Sequence, residues 1–242
     1  MCYFQIRRLQ YIHSRDHVHR NLKPSNIVMG VGNQANLVYL IDFGLSKEYR
    51  YPDTRVHIPF NGDAGFTGTT TFASINSHMG MELGRRDDME SLAYVLLYFF
   101  WGFLPWQGLG KGKAVLESKR AITTHSLFLA LPAELQSFYE HCRSLAFEGK
   151  PSYDHFYDLF GNLILREGFQ LDMTFDWDVA AGGKSQQGCA DKSGTRQNER
   201  HHSPKRVTRY VPPILITMIN MLMDSDNGLY ADHALSAADS PA

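Results

Sequence analysis

Ile6, Leu9 and Ile12 recur at every third residue between positions 4 and 13, the spacing of one buried helix face. Two short apolar runs follow, Ile27-Val28-Met29 and Leu37-Val38-Tyr39-Leu40-Ile41, with Gly30, Gly32 and Asn33 between them, which predicts a β-hairpin. From about 43 to 80 the chain is rich in Gly, Thr, Pro and Asn and has no periodicity, so a functional loop region is expected there. Asp87 or Asp88 is expected to cap the next helix, in which Leu92, Leu96 and Phe99/Phe100 share a face that Ala93 and Leu97 widen. A helix so nearly apolar all round belongs at the centre of a domain. Gly102, Pro105 and Gly108 end it, and further helices are predicted over about 113–121, over 132–147 with Pro132 in the first turn, and over 153–167. The domain pattern closes at Phe175-Asp176-Trp177-Asp178.

From Ala180 onward Gly, Ser, Gln and Lys dominate, which divides the chain into a domain over 1–178 and a polar, basic, disordered tail over 179–242. Seven Lys and Arg against Asp191 and Glu199 give residues 184–209 a charge of +5, better explained by a solvated tail than by a nucleic-acid patch. Over all 242 residues, 24 basic against 25 acidic side chains leave −1, so no global charge draws the chain to nucleic acid or anionic lipid. At 43% hydrophobic residues the chain can bury an ordinary core. Cys2, Cys142 and Cys189 form no C-x-x-C, which argues against a disulfide framework and a thiolate zinc site and suits a reducing compartment. No secretory leader is recognisable, and the longest apolar stretch, Leu92–Leu104, falls short of the roughly 20 residues of a spanning helix. A cytoplasmic or nuclear location without membrane partners is therefore expected.

The densest chemistry lies in His19-Arg20-Asn21-Leu22-Lys23-Pro24-Ser25-Asn26 and, after the hairpin, Asp42-Phe43-Gly44. Phosphoryl transfer needs hard oxygen ligands for a metal, which Asp42 and Asn26 can supply, and a cation near the transferred group, which Lys23 can supply. The group that takes the substrate hydroxyl's proton should stand five residues before Asn26, where the chain has Asn21. An amide can orient a hydroxyl but cannot accept its proton. Competing signals are weaker. Gly30-Val31-Gly32-Asn33-Gln34-Ala35 fits a dinucleotide fingerprint but precedes a strand, so a turn is favoured. Neither a phosphate-binding G-x-x-x-x-G-K-[ST] nor a G-x-S-x-G elbow occurs, and the histidines lack metal-ligand spacing. His19 is read as a packed loop residue, and Leu104-Pro105-Trp106 as packing at a helix end.

These loops resemble the catalytic and metal-binding loops of eukaryotic protein kinases. Tyr11-Ile12-His13-Ser14, Ala73-Ser74-Ile75-Asn76, Arg85-Arg86-Asp87-Asp88-Met89-Glu90-Ser91-Leu92, Leu104-Pro105-Trp106-Gln107-Gly108-Leu109 and Phe175-Asp176-Trp177 together resemble the casein kinase 1 family. Ser74-Ile75-Asn76 stands where most kinases carry Ala-Pro-Glu. The resemblance covers about 1–178 and implies a mainly α fold: the carboxyl-terminal lobe of a Ser/Thr kinase, with a short hairpin at the catalytic and metal loops. It implies ATP and Mg2+ as cofactors, a protein as substrate or docking partner, Asn26 and Asp42 as magnesium ligands, Lys23 as the catalytic-loop lysine and Thr69 as a hydrogen-bonding group near the transfer site. Asp88, Arg20 and Gly44 would support the loops, Asp88 by accepting hydrogen bonds from the catalytic-loop backbone.

Three departures bear on activity. Asn21 occupies the position of the catalytic aspartate, a role whose loss costs about 10²–10⁴ in rate. The glycine-rich loop, the strand lysine and its glutamate partner, all of the amino-terminal β lobe, have no counterpart in this sequence, so a lobe lacking half of the nucleotide site is expected. Thr71 replaces the arginine that would bind anionic substrates. The resulting expectation is a casein-kinase-1-like kinase with impaired transfer or, alternatively, a pseudokinase that acts as a binding module.

Overall fold

The computed structural model describes residues 2–34, 37–110 and 112–168, and the fold is mainly helical. In chain order the elements are α1 (Cys2–Ser14), β1 (His17–Val18), β2 (Ile27–Met29), β3 (Val38–Leu40), β4 (Lys47–Glu48), α2 (Ile75–His78), α3 (Arg85–Trp101), α4 (Gly112–Ala121), α5 (Thr124–Leu127), α6 (Ala133–Ser144) and α7 (Tyr153–Arg166). Strands among the described residues form two antiparallel pairs, β1 with β4 and β2 with β3. The expected hairpin is present, with Ile27 opposite Leu40 and Met29 opposite Val38. The second pair, Val18 against Lys47, was not anticipated.

Helix α3 is the axis of the domain. Every residue from Asp87 to Leu97 is buried, because α1, α6 and the 104–106 turn cover its different sides. Ile6 and Leu9 of α1 are fully enclosed, as expected of an i, i+3 stripe. Below them, Phe138 of α6 meets Phe156 of α7 edge-on at 4.8 Å and Phe160 at 5.5 Å, the offset geometry that ring quadrupoles favour. Trp106 is enclosed against Tyr94 at 5.0 Å, in keeping with the packing role expected of it.

The start of α3 corrects the expected cap. Gly84, not Asp87 or Asp88, is the N-cap: its N–H donates to the Asp87 carboxylate at 2.8 Å and its carbonyl accepts the Asp87 N–H at 3.1 Å. Asp87 is therefore the third helical residue of a reciprocal cap, and Asp88 is released to face the interior. A side chain at position 84 is barred, since a Cβ would lie 2.9 Å from the Phe147 carbonyl oxygen. At the other end Gly102, at φ 75, closes the helix in the left-handed region.

Two further expectations change. The 43–80 segment holds β4 and α2 as well as loop, and Ser74 caps α2 by accepting the Ser77 N–H. Helix α6 ends at Ser144 rather than 147, where Arg86 takes the Leu145 carbonyl at 3.0 Å and Arg85 the Glu148 carbonyl at 2.6 Å, drawing the chain out of helical hydrogen bonding. Helix α5, opened by Thr123, was not anticipated. No helix among the described residues is long and apolar enough to cross a membrane. The Phe175–Asp178 boundary, Cys189 and the 179–242 tail lie outside the described residues.

Candidate functional site

The site grows from the end of β1. Val18 and His19 are fully buried, and the His19 ring rests 5.0 Å from Phe43. Its Nε2 lies 3.1 Å from the Ile41 carbonyl, while Nδ1 receives the Asn21 N–H at 3.3 Å. A carbonyl can only accept and an amide N–H can only donate, so Nε2 acts as the donor and Nδ1 as the acceptor. His19 thus ties loop 19–26 to loop 41–45 as a packed residue.

Asp88 lies beneath the same loop. Its Oδ2 accepts the His19 N–H at 2.7 Å and its Oδ1 the Arg20 N–H at 2.8 Å. Two successive amides can reach one carboxylate because Arg20 takes φ 65, in the left-handed region. The Arg20 side chain then spans to the other loop, Nε donating to the Leu45 carbonyl at 2.6 Å. His13 Nε2 adds a third hydrogen bond to Asp88 at 3.0 Å, and Tyr153 Oη lies 2.5 Å from His13 Nδ1. Burial holds the His13 pKa below its ordinary value against the pull of Asp88. Burial would push Asp88 up, but the hydrogen bonds of His13 and the His19 amide outweigh it and hold the carboxyl below the usual range. The pair is an ionised Asp88 receiving a proton donor from neutral His13.

Above this support four polar side chains converge. Asn21 Nδ2 donates to Asp42 Oδ2 at 3.2 Å, and Asn21 Oδ1 accepts the Thr69 hydroxyl at 2.9 Å. Asn26 Nδ2 donates to the Asn21 carbonyl at 3.0 Å and to the same Asp42 oxygen at 3.2 Å. Asn21 and Asn26 are buried whereas Asp42, at φ 66, is exposed. Gly44 lies alongside, where a Cβ would make an ordinary 3.5 Å contact with Asp42 Oδ1. Lys23 opens the short turn Pro24–Asn26, and its ammonium has no hydrogen-bond or ion-pair partner among the described residues.

Thr69 reaches Asn21 because residue 68 is glycine. Gly68 takes φ 104, and a Cβ there would lie 2.7 Å from the Arg20 carbonyl oxygen. The following carbonyls are held from other elements: Thr70 by His78 Nε2 at 3.0 Å, Thr71 by Trp106 Nε1 at 2.7 Å and Ala73 by Lys119 Nζ at 2.6 Å. The Lys119 ammonium lies 4.5 Å from the Tyr94 ring centre and 5.0 Å from that of Trp106, and burial pushes its pKa down to about 7. Ser74 and Asn76 both donate to Asp87 Oδ1, at 2.8 and 2.9 Å, which fixes α2 on α3. Glu90 accepts the Ile75 N–H at 2.9 Å and the Arg143 guanidinium at 2.8 Å.

The structure therefore brings Asn21, Asn26, Asp42 and Thr69 together, with Arg20 and Asp88 below them and Gly44 alongside. Sequence reasoning did not single out His13, Tyr153, Gly68 or Lys119 as parts of this frame. His13 carried one usable signal, a polar residue seven positions after Ile6 on the buried face of α1. The donor set suits a hard divalent ion: Asp42 Oδ1 and Asn26 Oδ1 receive no hydrogen bond among the described residues, and both are oxygen ligands of the kind Mg2+ takes. At position 21 the amide leaves no proton acceptor for general-base work.

Against known families, residues 2–155 match the protein kinase domain, which takes in the loops just described and most of the helical frame around them. Kinases of this family use ATP and Mg2+ and act on proteins. The chain belongs to the protein kinase domain family.

Proposed function

We propose that this chain is a casein-kinase-1-like Ser/Thr kinase domain in which phosphoryl transfer from ATP to a protein hydroxyl is impaired, Asn21 standing at the position of the base and half of the nucleotide site having no counterpart in the sequence. The subfamily reading rests on the motif blocks and on the way Ser74 and Asn76, in place of Ala-Pro-Glu, share one oxygen of Asp87. Asn26 and Asp42 would hold the magnesium ion, whose chemistry is to neutralise the phosphates, and Lys23 would stand by the transferred group. Asn21 carries the proposal. It is held between Thr69 and Asp42 where a substrate hydroxyl would need a carboxylate, and its amide accepts no proton. The test is ATP-dependent labelling of casein with Mg2+ by the full chain. Little or no transfer is expected, and robust turnover by the unmodified chain overturns the reading.

A second reading, a docking module that holds protein partners, is favoured by the surface of the 45–80 segment, where Tyr51 is 51%, Val56 60%, Phe60 53% and Phe66 49% exposed. Partner capture that survives Asn21→Asp unchanged but is lost in Phe60→Ser with Phe66→Ser would support it. Capture insensitive to both changes counts against it.

A further inference from the structure

We propose that Asn21 is a positioning residue that closes the catalytic and metal loops without a divalent ion, its amide taking over part of the cation's structural task. The inference rests on the reading of Asn26 and Asp42 as ligands of the ion. It goes beyond the loss of a base, because it assigns Asn21 a bond of its own.

The orientation of the Asn21 amide is fixed by its neighbours. Nδ2 faces Asp42 Oδ2 at 3.2 Å and Oδ1 faces the Thr69 hydroxyl at 2.9 Å. The reverse orientation would set a carbonyl oxygen against a carboxylate, two acceptors with no proton between them. Asn26 Nδ2 donates to the same Asp42 oxygen at 3.2 Å and to the Asn21 carbonyl at 3.0 Å. One carboxylate oxygen is therefore held by two amides from the facing loop, and Ile41 N–H to Asn26 carbonyl, at 3.0 Å, closes the seam at the backbone. A neutral pair of donors and a single negative charge need no counterion. An aspartate at 21 would present a second carboxylate to Asp42 at this separation, and the two loops would then repel unless a cation lay between them.

Two consequences separate this role from a merely missing group. The unmodified chain should fold to the same stability with or without divalent ion, since the bridge is internal. It should also bind the ion weakly, because Asp42 supplies the only charge and Asn26 and Asp42 offer one oxygen each.

The experiment compares the full chain with Asn21→Asp and Asn21→Ala, using Mn2+ as probe in electron paramagnetic resonance titrations and thermal melting in EDTA and in Mg2+. The unmodified chain is expected to melt within about 1 °C in the two buffers. Asn21→Asp should melt lower in EDTA, recover in Mg2+, and bind Mn2+ on the order of tenfold more tightly. Asn21→Ala, which loses the bridge without adding charge, should melt lower in both buffers. The proposal is overturned if Mg2+ raises the melting temperature of the unmodified chain as much as that of Asn21→Asp, or if the two bind Mn2+ equally well. If both chains fail to bind Mn2+, the ligand assignment of Asn26 and Asp42 falls with it, whereas equal binding leaves that assignment standing and removes only the role of Asn21. Should Asn21→Asp not fold in EDTA, refolding on addition of Mg2+ is the supporting result, and the unmodified chain alone still decides the matter through its insensitivity to the ion.

Discussion

Asp88→Asn changes one oxygen for an NH2 and keeps the shape, so its effect isolates the charge and the acceptor count. Asp88 Oδ2 accepts from His19 N–H at 2.7 Å and His13 Nε2 at 3.0 Å, and Oδ1 accepts from Arg20 N–H at 2.8 Å. An amide can keep its carbonyl on the side with two donors, which turns its NH2 toward the Arg20 N–H. That buried amide is then unsatisfied, at about 1–3 kcal/mol. The two surviving bonds lose the strength that an ionised acceptor gives, about 1 kcal/mol each. Relief of the buried charge's desolvation offsets part of this, for a net loss of about 3 kcal/mol. Arg20 also loses the contact that holds its left-handed conformation, which costs an ordinary residue about 1–2 kcal/mol.

The assay is urea unfolding with native-state amide exchange. The midpoint should fall at constant slope, and protection should be lost at the Arg20 amide before the His19 amide. Asp88 has a depressed folded pKa, so its contribution is complete above the unfolded value of 3.8 and is lost as pH falls through the folded value. The difference between the two chains should accordingly be flat near neutrality and shrink only in strong acid. A loss below about 1 kcal/mol, or retained protection at Arg20, would refute the assignment of Asp88 as the seat of the loop.

Gly68→Ala forces a Cβ to within 2.7 Å of the Arg20 carbonyl at φ 104, and a loss of about 2–4 kcal/mol by calorimetry is expected; an unchanged melting temperature would show that Thr69 does not depend on that approach. Lys119→Met keeps the stem under Tyr94 and Trp106 but strips the donor from the Ala73 carbonyl, for a loss of about 2 kcal/mol in urea. Because burial lowers the Lys119 pKa to about 7, the unfolded chain binds more protons between there and 10.5; the unmodified protein should gain on Lys119→Met as pH rises through that window. His78 is lowered to about 4 by burial and then by Lys119, so protonation favours the unfolded chain and stability falls as pH drops from 6.5 towards 4. Partly exposed, it should contribute about 1 kcal/mol, and His78→Gln, still able to donate to Thr70, should flatten the acid slope in pH-dependent melts.

The parts of the fold that were legible in the sequence are those with a period. Phe156, Phe160 and Leu163 in α7, or Leu135, Phe138 and Cys142 in α6, repeat on one face and are buried where the spacing puts them. β1 and β4 are two residues each, His17-Val18 and Lys47-Glu48, too short to carry any alternation. The start of α3 was misread because its cap uses the backbone of Gly84 and a carboxylate three residues on, whereas the sequence rule looks for a side chain at the cap itself. At the candidate site, the sequence proposed Asn21, Asn26, Asp42 and Thr69 but not how they meet. Thr69 stands 48 positions from Asn21, and only the close approach of Gly68 to Arg20 brings the two together.

The frame under the site makes no use of the side chain at position 21. Asp88 grips the loop by the amides of 19 and 20, His19 joins it to the Ile41 carbonyl, and Trp106, His78 and Lys119 hold the carbonyls of 70, 71 and 73. None of these bonds is made by the side chain at 21. A carboxylate and an amide have almost the same shape, so on the proposed reading Asn21 lacks a proton acceptor while the frame in Mg2+ keeps its geometry. Substitution at Asp88 removes the frame, whatever stands at 21. Asn21→Asp should therefore move ion binding far more than stability in Mg2+, and changes at 88 should move stability first, with any function lost only as a consequence.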